Sequence, residues 1–296
     1  MKTVLSRRLF IQQSITGGIG FSMLGNLPAF PGLTAPAMKL GLVTYLWGKD
    51  WDLPTIITNC EEAGILGVEL RTQHAHKVEI SLNPSQRAEV KKRFENSNVT
   101  CIGYGSNFEF HSPDAKQLRE NLDQAKAYIK LCKDIGATGI KVKPNDLPDG
   151  VPVEKTIAQI ASSLNELGKY GEDYGQLIRL EVHGRHTAEL PNIKAIFEQV
   201  TTPNVKICWN SNPQDLLSPG LKGNFDLVKK WIGDTVHVNN IDGDQYPYQQ
   251  LFNLLADEQY TGWILLEESS DPKDKIIALK ERRVSFDNFL ANIKKG

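Results

Sequence analysis

Four residues in the second half of the chain could together do chemistry that none of them could do alone. Glu181 closes the run Ile178-Arg179-Leu180-Glu181, and Asn210 closes Val205-Lys206-Ile207-Cys208-Trp209-Asn210. His237 lies in Val236-His237-Val238, and Glu267 follows Ile264-Leu265-Leu266. Two carboxylates, an amide and an imidazole make a mixed oxygen and nitrogen donor set that a divalent ion such as Mn²⁺, Mg²⁺, Co²⁺ or Zn²⁺ accepts. Taken singly these residues say less. A glutamate at a strand end is equally well explained by solvation, and a histidine in an apolar strand is more often a hydrogen-bonded core residue. The constellation on consecutive runs is what points to a metal site.

Other polar residues fall around the same ends. Lys141 and Lys143 share one face of Gly139-Ile140-Lys141-Val142-Lys143, so both can reach one point, or both can face solvent on the helix side. His183 and Arg185 follow the fifth run, and Trp47 follows the first, where its ring could stack on a sugar. All six histidines, at 74, 76, 111, 183, 186 and 237, lie at or after such runs.

For these groups to meet, the elements carrying them must converge. Short β-rich apolar runs occur at 40–45, 67–70, 100–104, 139–142, 177–182, 205–209, 235–239 and 263–266. Helical periodicity occupies 53–63, 85–95, 115–135, 153–174, 193–200, 225–232, 248–255 and 275–290. Strands separated by helical crossovers must run parallel, and eight such units over 38–296 approach the roughly 250 residues of a closed (β/α)₈ barrel. The expected fold is therefore α/β, a TIM barrel in a single domain. Gly64-Ile65-Leu66-Gly67 and Gly136-Ala137-Thr138-Gly139 read as helix-to-strand returns. No early Gly-x-Gly-x-x-Gly follows a strand, which removes the main reason to expect a dinucleotide-binding sheet.

Residues 1–37 read as an address. Ser6-Arg7-Arg8-Leu9-Phe10-Ile11 resembles a twin-arginine export motif, a short Gly-rich apolar stretch follows, and Ala35-Pro36-Ala37 offers a cleavage site. The expectation is a periplasmic or secreted protein without a stable membrane anchor. With 34 Lys and Arg against 35 Asp and Glu, the chain lacks the basic excess that nucleic acid selects. Cys60, Cys101, Cys132 and Cys208 show no paired ligand spacing and read as buried free thiols.

The strand-end series Leu180-Glu181, Trp209-Asn210, Val236-His237-Val238 and Gly262-Trp263-Ile264-Leu265-Leu266-Glu267, with Gly67-Val68-Glu69-Leu70 on the second strand, resembles the sugar phosphate isomerase/epimerase family of xylose isomerase-like barrels. The resemblance spans essentially the whole chain after the leader. It implies that Glu181 and Glu267 bind metal and flank the substrate carbon that loses or gains a proton, with His237 completing the ligands. Where the family has Asp this chain has Asn210, which removes a negative charge and should weaken metal binding or leave the ion more electrophilic.

The implied activity is metal-dependent isomerisation or epimerisation of a small carbohydrate by proton transfer beside a carbonyl. Export would favour an oxidised sugar over a sugar phosphate, and on a keto-glycoside the same abstraction would expel the aglycone, making the protein a lyase. Asn210 also raises the alternative of a non-catalytic sugar-binding barrel. The related endonuclease activity fits poorly with a near-zero charge.

Overall fold

The computed structural model describes residues 38–293, so the expected leader and its cleavage site lie outside the described residues. Strands and helices alternate: β1 (Lys39–Val43), α1 (Leu53–Ala63), β2 (Gly67–Arg71), α2 (Pro84–Glu95), β3 (Thr100–Glu109), α3 (Ala115–Ile135), β4 (Gly139–Lys143) and α4 (Val153–Glu172). The second half continues with β5 (Leu177–Glu181), α5 (Leu190–Phe197), β6 (Val205–Asn210), α6 (Leu221–Val228), β7 (Ile232–Val238), α7 (Tyr248–Asp257), β8 (Trp263–Leu266) and α8 (Lys275–Ala291). Every strand pairs in parallel with its sequence neighbours, and β8 returns to β1, closing an eight-stranded barrel as the sequence implied. Among the described residues no helix is long and apolar enough to cross a membrane.

Local chemistry sets where the elements begin and end. Asp52, Asp114 and Asp274 accept from backbone N–H groups in the first turns of α1, α3 and α8, satisfying donors that the helices cannot use internally. Gly64 and Gly136 end α1 and α3 in the left-handed region at φ of 70° and 82°, the two returns expected from sequence. α5 starts at Leu190, ahead of the expected 193, because Pro191 sits in the first turn, where its missing N–H costs nothing. The helix expected over 225–232 is displaced towards the N-terminus, to Leu221–Val228. Lys229–Trp231 tightens into a 3₁₀ turn, and Ile232 already pairs with Ile207 of β6.

Between the strands and the helices lies one continuous apolar layer, built from residues such as Val68, Ile140, Leu180, Val236 and Ile264 on the strands and Ile56, Ile129, Ile160 and Phe252 on the helices. The four cysteines are buried and free. Inside the barrel the composition changes. A small apolar cluster of Val43, Ile102 and Leu265 fills part of the interior. Much of the remainder is charged: Glu69, Arg71, Lys141, Arg179, Glu181 and His237 are all buried.

These long charged chains fit because β3 and β4 contribute glycines beside them. A Cβ on Gly103 would lie 2.9 Å from Arg179 Nη1, and one on Gly105 would lie 2.5 Å from Glu69 Oε1. Arg179 is held near the N-terminal end of the barrel by Asp234, with Nε and Nη2 each donating across 2.8 Å, and by Thr138 Oγ1 at 2.7 Å.

Candidate functional site

The C-terminal ends of β5, β7 and β8 bring Glu181, His237 and Glu267 together. One donor atom from each lies within 4.8 Å of the others. His237 Nδ1 is 3.5 Å from Glu181 Oε1 and 3.4 Å from Glu267 Oε2. An ion about 2.1 Å from each donor in a tetrahedral shell would set neighbouring donors about 3.4 Å apart. Nδ1 of His237 is buried and has no hydrogen-bond partner, so its lone pair is available to an ion between the two carboxylates. These three residues therefore fit a divalent ion.

The atoms turned away from this centre are also accounted for. Glu181 Oε2 accepts from Lys141 Nζ at 2.5 Å, with Lys143 Nζ at 3.9 Å. Glu267 Oε1 accepts from Arg71 Nη1 at 3.3 Å, and Arg71 Nη2 donates to Asn107 at 3.0 Å. His237 Nε2 faces Glu69 Oε1 at 3.3 Å. Each cation takes one oxygen of its carboxylate and leaves the other aimed at the centre, which favours monodentate ligation and fixes the geometry of the ligands.

Charge state follows from the same contacts. Burial would raise the Glu181 carboxyl, but Lys141, His237 and Lys143 prevail and hold it well below the usual carboxylate range. Glu267 is held down as well: burial and the negative charge of Glu181 oppose ionisation, and His237 and Lys141 outweigh them. Burial alone would lower the His237 imidazole, yet Cys208, Glu69 and Glu267 push it well above its ordinary value. Burial and the neighbouring Lys141 lower the Lys143 ammonium.

The other residues expected at the site are distributed unevenly. Asn210 is buried beside the trio, but its amide is committed: Nδ2 donates to Glu181 Oε1 at 3.2 Å, and Oδ1 accepts from Asn239 at 3.0 Å. As placed it supports a ligand instead of presenting an oxygen to the centre. Lys141 is fully buried and engages Glu181, so it holds the site from within instead of facing substrate. Lys143, with 11% of its side chain exposed, and Glu267, with the same fraction, are the members nearest the opening. His183 sits on the rim, with Nδ1 2.8 Å from Asn145 Oδ1.

Two expectations are corrected. Trp47 is buried, donates Nε1–H to the Ser270 carbonyl at 2.8 Å and lies under the Arg282 guanidinium, so no face of its ring is free for a sugar. Arg185 is half exposed and spent on Asp146 and Asp149. The remaining histidines stay outside the centre; His76, for instance, bonds the backbone of Arg71 and Val78. The sequence reading missed Glu69 and Arg71 as site residues. Their signal was available as two charges at alternate positions of the otherwise apolar β2, which places both inside the barrel.

The profile of a family described as xylose isomerase-like TIM barrels matches residues 57–212, more than half of the chain. The chain belongs to this family. The matched stretch of the xylose isomerase-like barrel takes in Lys141, Glu181 and Asn210, and the closed barrel of the structure carries the fold on through His237 and Glu267. Solved structures share the fold at low identity. The apo 3-keto-D-glucoside 4-epimerase of E. coli superposes with a TM-score of 0.71 at 15% identity, covering 86% of this chain and 99% of its own. An IolI protein with a bound zinc atom gives 0.74 at 15% identity over 88% and 100%. D-psicose 3-epimerase from Clostridium cellulolyticum H10, solved with D-tagatose, gives 0.70 at 16% identity over 86% and 99%.

Proposed function

We propose that this xylose isomerase-like barrel is a carbohydrate isomerase or epimerase that moves a proton at the carbon beside a carbonyl, with a divalent ion held by Glu181 Oε1, Glu267 Oε2 and His237 Nδ1. The observation that carries the reading is the pair of ionised carboxylates, each with one oxygen anchored by a buried cation and the other directed at a common point beside unpartnered His237. When bound, the ion would polarise the substrate carbonyl and stabilise the charge that develops on its oxygen.

The chain's own groups divide the remaining work. Glu267 is nearer the opening than Glu181 and is the residue that meets the substrate carbon as base. Glu181 lies beneath, tied to Lys141, and serves the opposite face of that carbon. Lys143 and His183 stand where they can donate to substrate oxygens.

Several structural relatives are described as sugar epimerases, and one of them acts, by its name, on a 3-keto-D-glucoside. That supports a keto sugar or keto-glycoside as the substrate to try first, and it keeps β-elimination in view, since abstraction beside a ketone expels a leaving group on the next carbon. The ion is proposed to be Mn²⁺, Mg²⁺, Co²⁺ or Zn²⁺, and the protein is proposed to work outside the cytoplasm after removal of residues 1–37. The deciding experiment is incubation with keto-glycosides and free ketoses in heavy water. Deuterium should enter at the carbon beside the carbonyl, and its entry should need both glutamates. Turnover without any exchange in the wild type, or full exchange in Glu267→Gln with metal bound, would sink the assignment.

A further inference from the structure

Glu69 is a buried carboxylate that the proposed chemistry does not use. It is fully buried in the barrel interior, and neither of its oxygens has a hydrogen-bond partner. A carboxylate removed from water in this way costs several kcal/mol unless something compensates it. Arg179 is a candidate by sign, but its guanidinium is committed to Asp234, Thr138 and the Ile102 carbonyl. Gly105 gives Glu69 room and supplies no donor from a side chain. The remaining neighbour is His237, whose Nε2 stands 3.3 Å from Glu69 Oε1 and is itself without any other partner. Two buried groups, each lacking what the other offers, face each other across the barrel.

We infer that Glu69 is a positioning residue: it holds the Nε2–H of His237, so that Nδ1 is the ring nitrogen left facing Glu181 and Glu267. This rests on the proposed metal site and extends it inward by one layer. Lys141, Arg71 and Glu69 then form a set, each fixing the far atom of one ligand. Without Glu69 the imidazole has no reason to prefer one edge over the other. A ring flip would turn Nε2 toward the centre, displacing the donor atom from the position that Glu181 and Glu267 are held to match.

The test uses the whole protein, ¹⁵N-labelled at histidine, with Zn²⁺ as the diamagnetic probe, and compares the wild type with Glu69→Gln and Glu69→Leu. In the zinc-bound wild type the His237 signals should show a proton on Nε2 and metal on Nδ1. Glu69→Gln keeps an acceptor oxygen of the same size, so the pattern should persist with a modest loss of affinity. Glu69→Leu removes the acceptor, and zinc affinity measured by chelator competition should fall about 10- to 100-fold, with the Nε2–H signature lost.

A purely structural role for Glu69 would move the melting temperature without changing which nitrogen carries the metal. If Glu69→Leu binds zinc as tightly as wild type through Nδ1, the inference is overturned. If the wild type takes up no zinc at His237, the metal part of the proposed function falls, and Glu69 is judged on the metal-free protein. There, at a pH high enough for the ring to be neutral, an Nε2–H resonance that Glu69→Leu abolishes sustains the positioning role, and one that is unchanged refutes it.

Discussion

Replacing Asn210 by Asp restores the carboxylate that the family resemblance implies, and the structure sets its consequence. The Nδ2 that donates to Glu181 Oε1 across 3.2 Å becomes a second anionic oxygen at the same distance. Two unit charges that far apart repel by about 5 kcal/mol at an effective dielectric near 20. Lys141 on the far oxygen of Glu181 and the donor from Asn239 offset part of this, leaving a net loss of roughly 3 kcal/mol in the metal-free protein. For a barrel of this size that is about 6–10 °C in melting temperature. A divalent ion between the two carboxylates converts the repulsion into attraction, so Mn²⁺ should recover the loss and bind more tightly than in the wild type. Thermal unfolding of both proteins in chelator and across a Mn²⁺ series reads both effects. An Asp variant that melts like the wild type in chelator, or that gains no more from Mn²⁺ than the wild type does, would show that position 210 does not face the ion.

Lys141→Met should cost about 3–5 kcal/mol by leaving Glu181 buried and unpaired, and adding Glu181→Gln should recover much of it, as a double-mutant cycle in denaturant would reveal. Asp215 lies fully buried, accepts from Tyr246 at 2.6 Å, and is pushed up to about 7 by burial from an ordinary 3.8. The fold therefore binds one more proton than the unfolded chain between those values, and stability should fall as pH rises through the window, by up to about 4 kcal/mol. Asp215→Asn should flatten that dependence, and unchanged denaturation midpoints between pH 5 and 8 in the wild type would refute it. Glu267→Gln should lower solvent deuterium exchange by roughly 10²–10⁴-fold with metal occupancy measured alongside. Exported protein should begin near Met38, and Arg7→Lys with Arg8→Lys should retain it in the cytoplasm; an intact Met1 on exported material would count against the leader.

The alternation of apolar runs and helical stretches was enough to read the barrel, because a parallel strand buried on both faces leaves a continuous apolar signature and each crossover leaves a 3.6-residue period. Glu181, His237 and Glu267 were legible as a group: each alone has a bland explanation, but titratable residues at the ends of several consecutive runs can converge at the barrel mouth. What sequence could not supply was direction across the barrel. Lys141 and Lys143 could face inward or outward on pattern alone, and Trp47 looked available until its contacts with Ser270 and Arg282 were seen. Glu69 escaped notice because its partner, His237, is far away in the chain and meets it only once β2 and β7 face each other across the closed barrel. Asn210 was identified at the right place, yet the orientation of its amide depends on Asn239, a contact no single-sequence pattern encodes.

The glycines of β3 and β4 carry an implication for how this chain can drift. A Cβ on Gly103 would sit 2.2 Å from the Gly139 carbonyl oxygen and 2.9 Å from Arg179 Nη1, and one on Gly139 would lie 2.8 Å from the same guanidinium nitrogen. Arg179 could yield, but a Cβ on Gly139 would also sit 2.3 Å from the Leu177 carbonyl oxygen, so at both glycines the nearest obstacle is backbone, which no exchange at 179 removes. Random substitution tests positions one at a time, and each single step here passes through a clash or a void. Among homologues, Gly103 and Gly139 should therefore stay glycine whatever residue stands at 179. They would look as constrained as the groups at the mouth while never touching substrate.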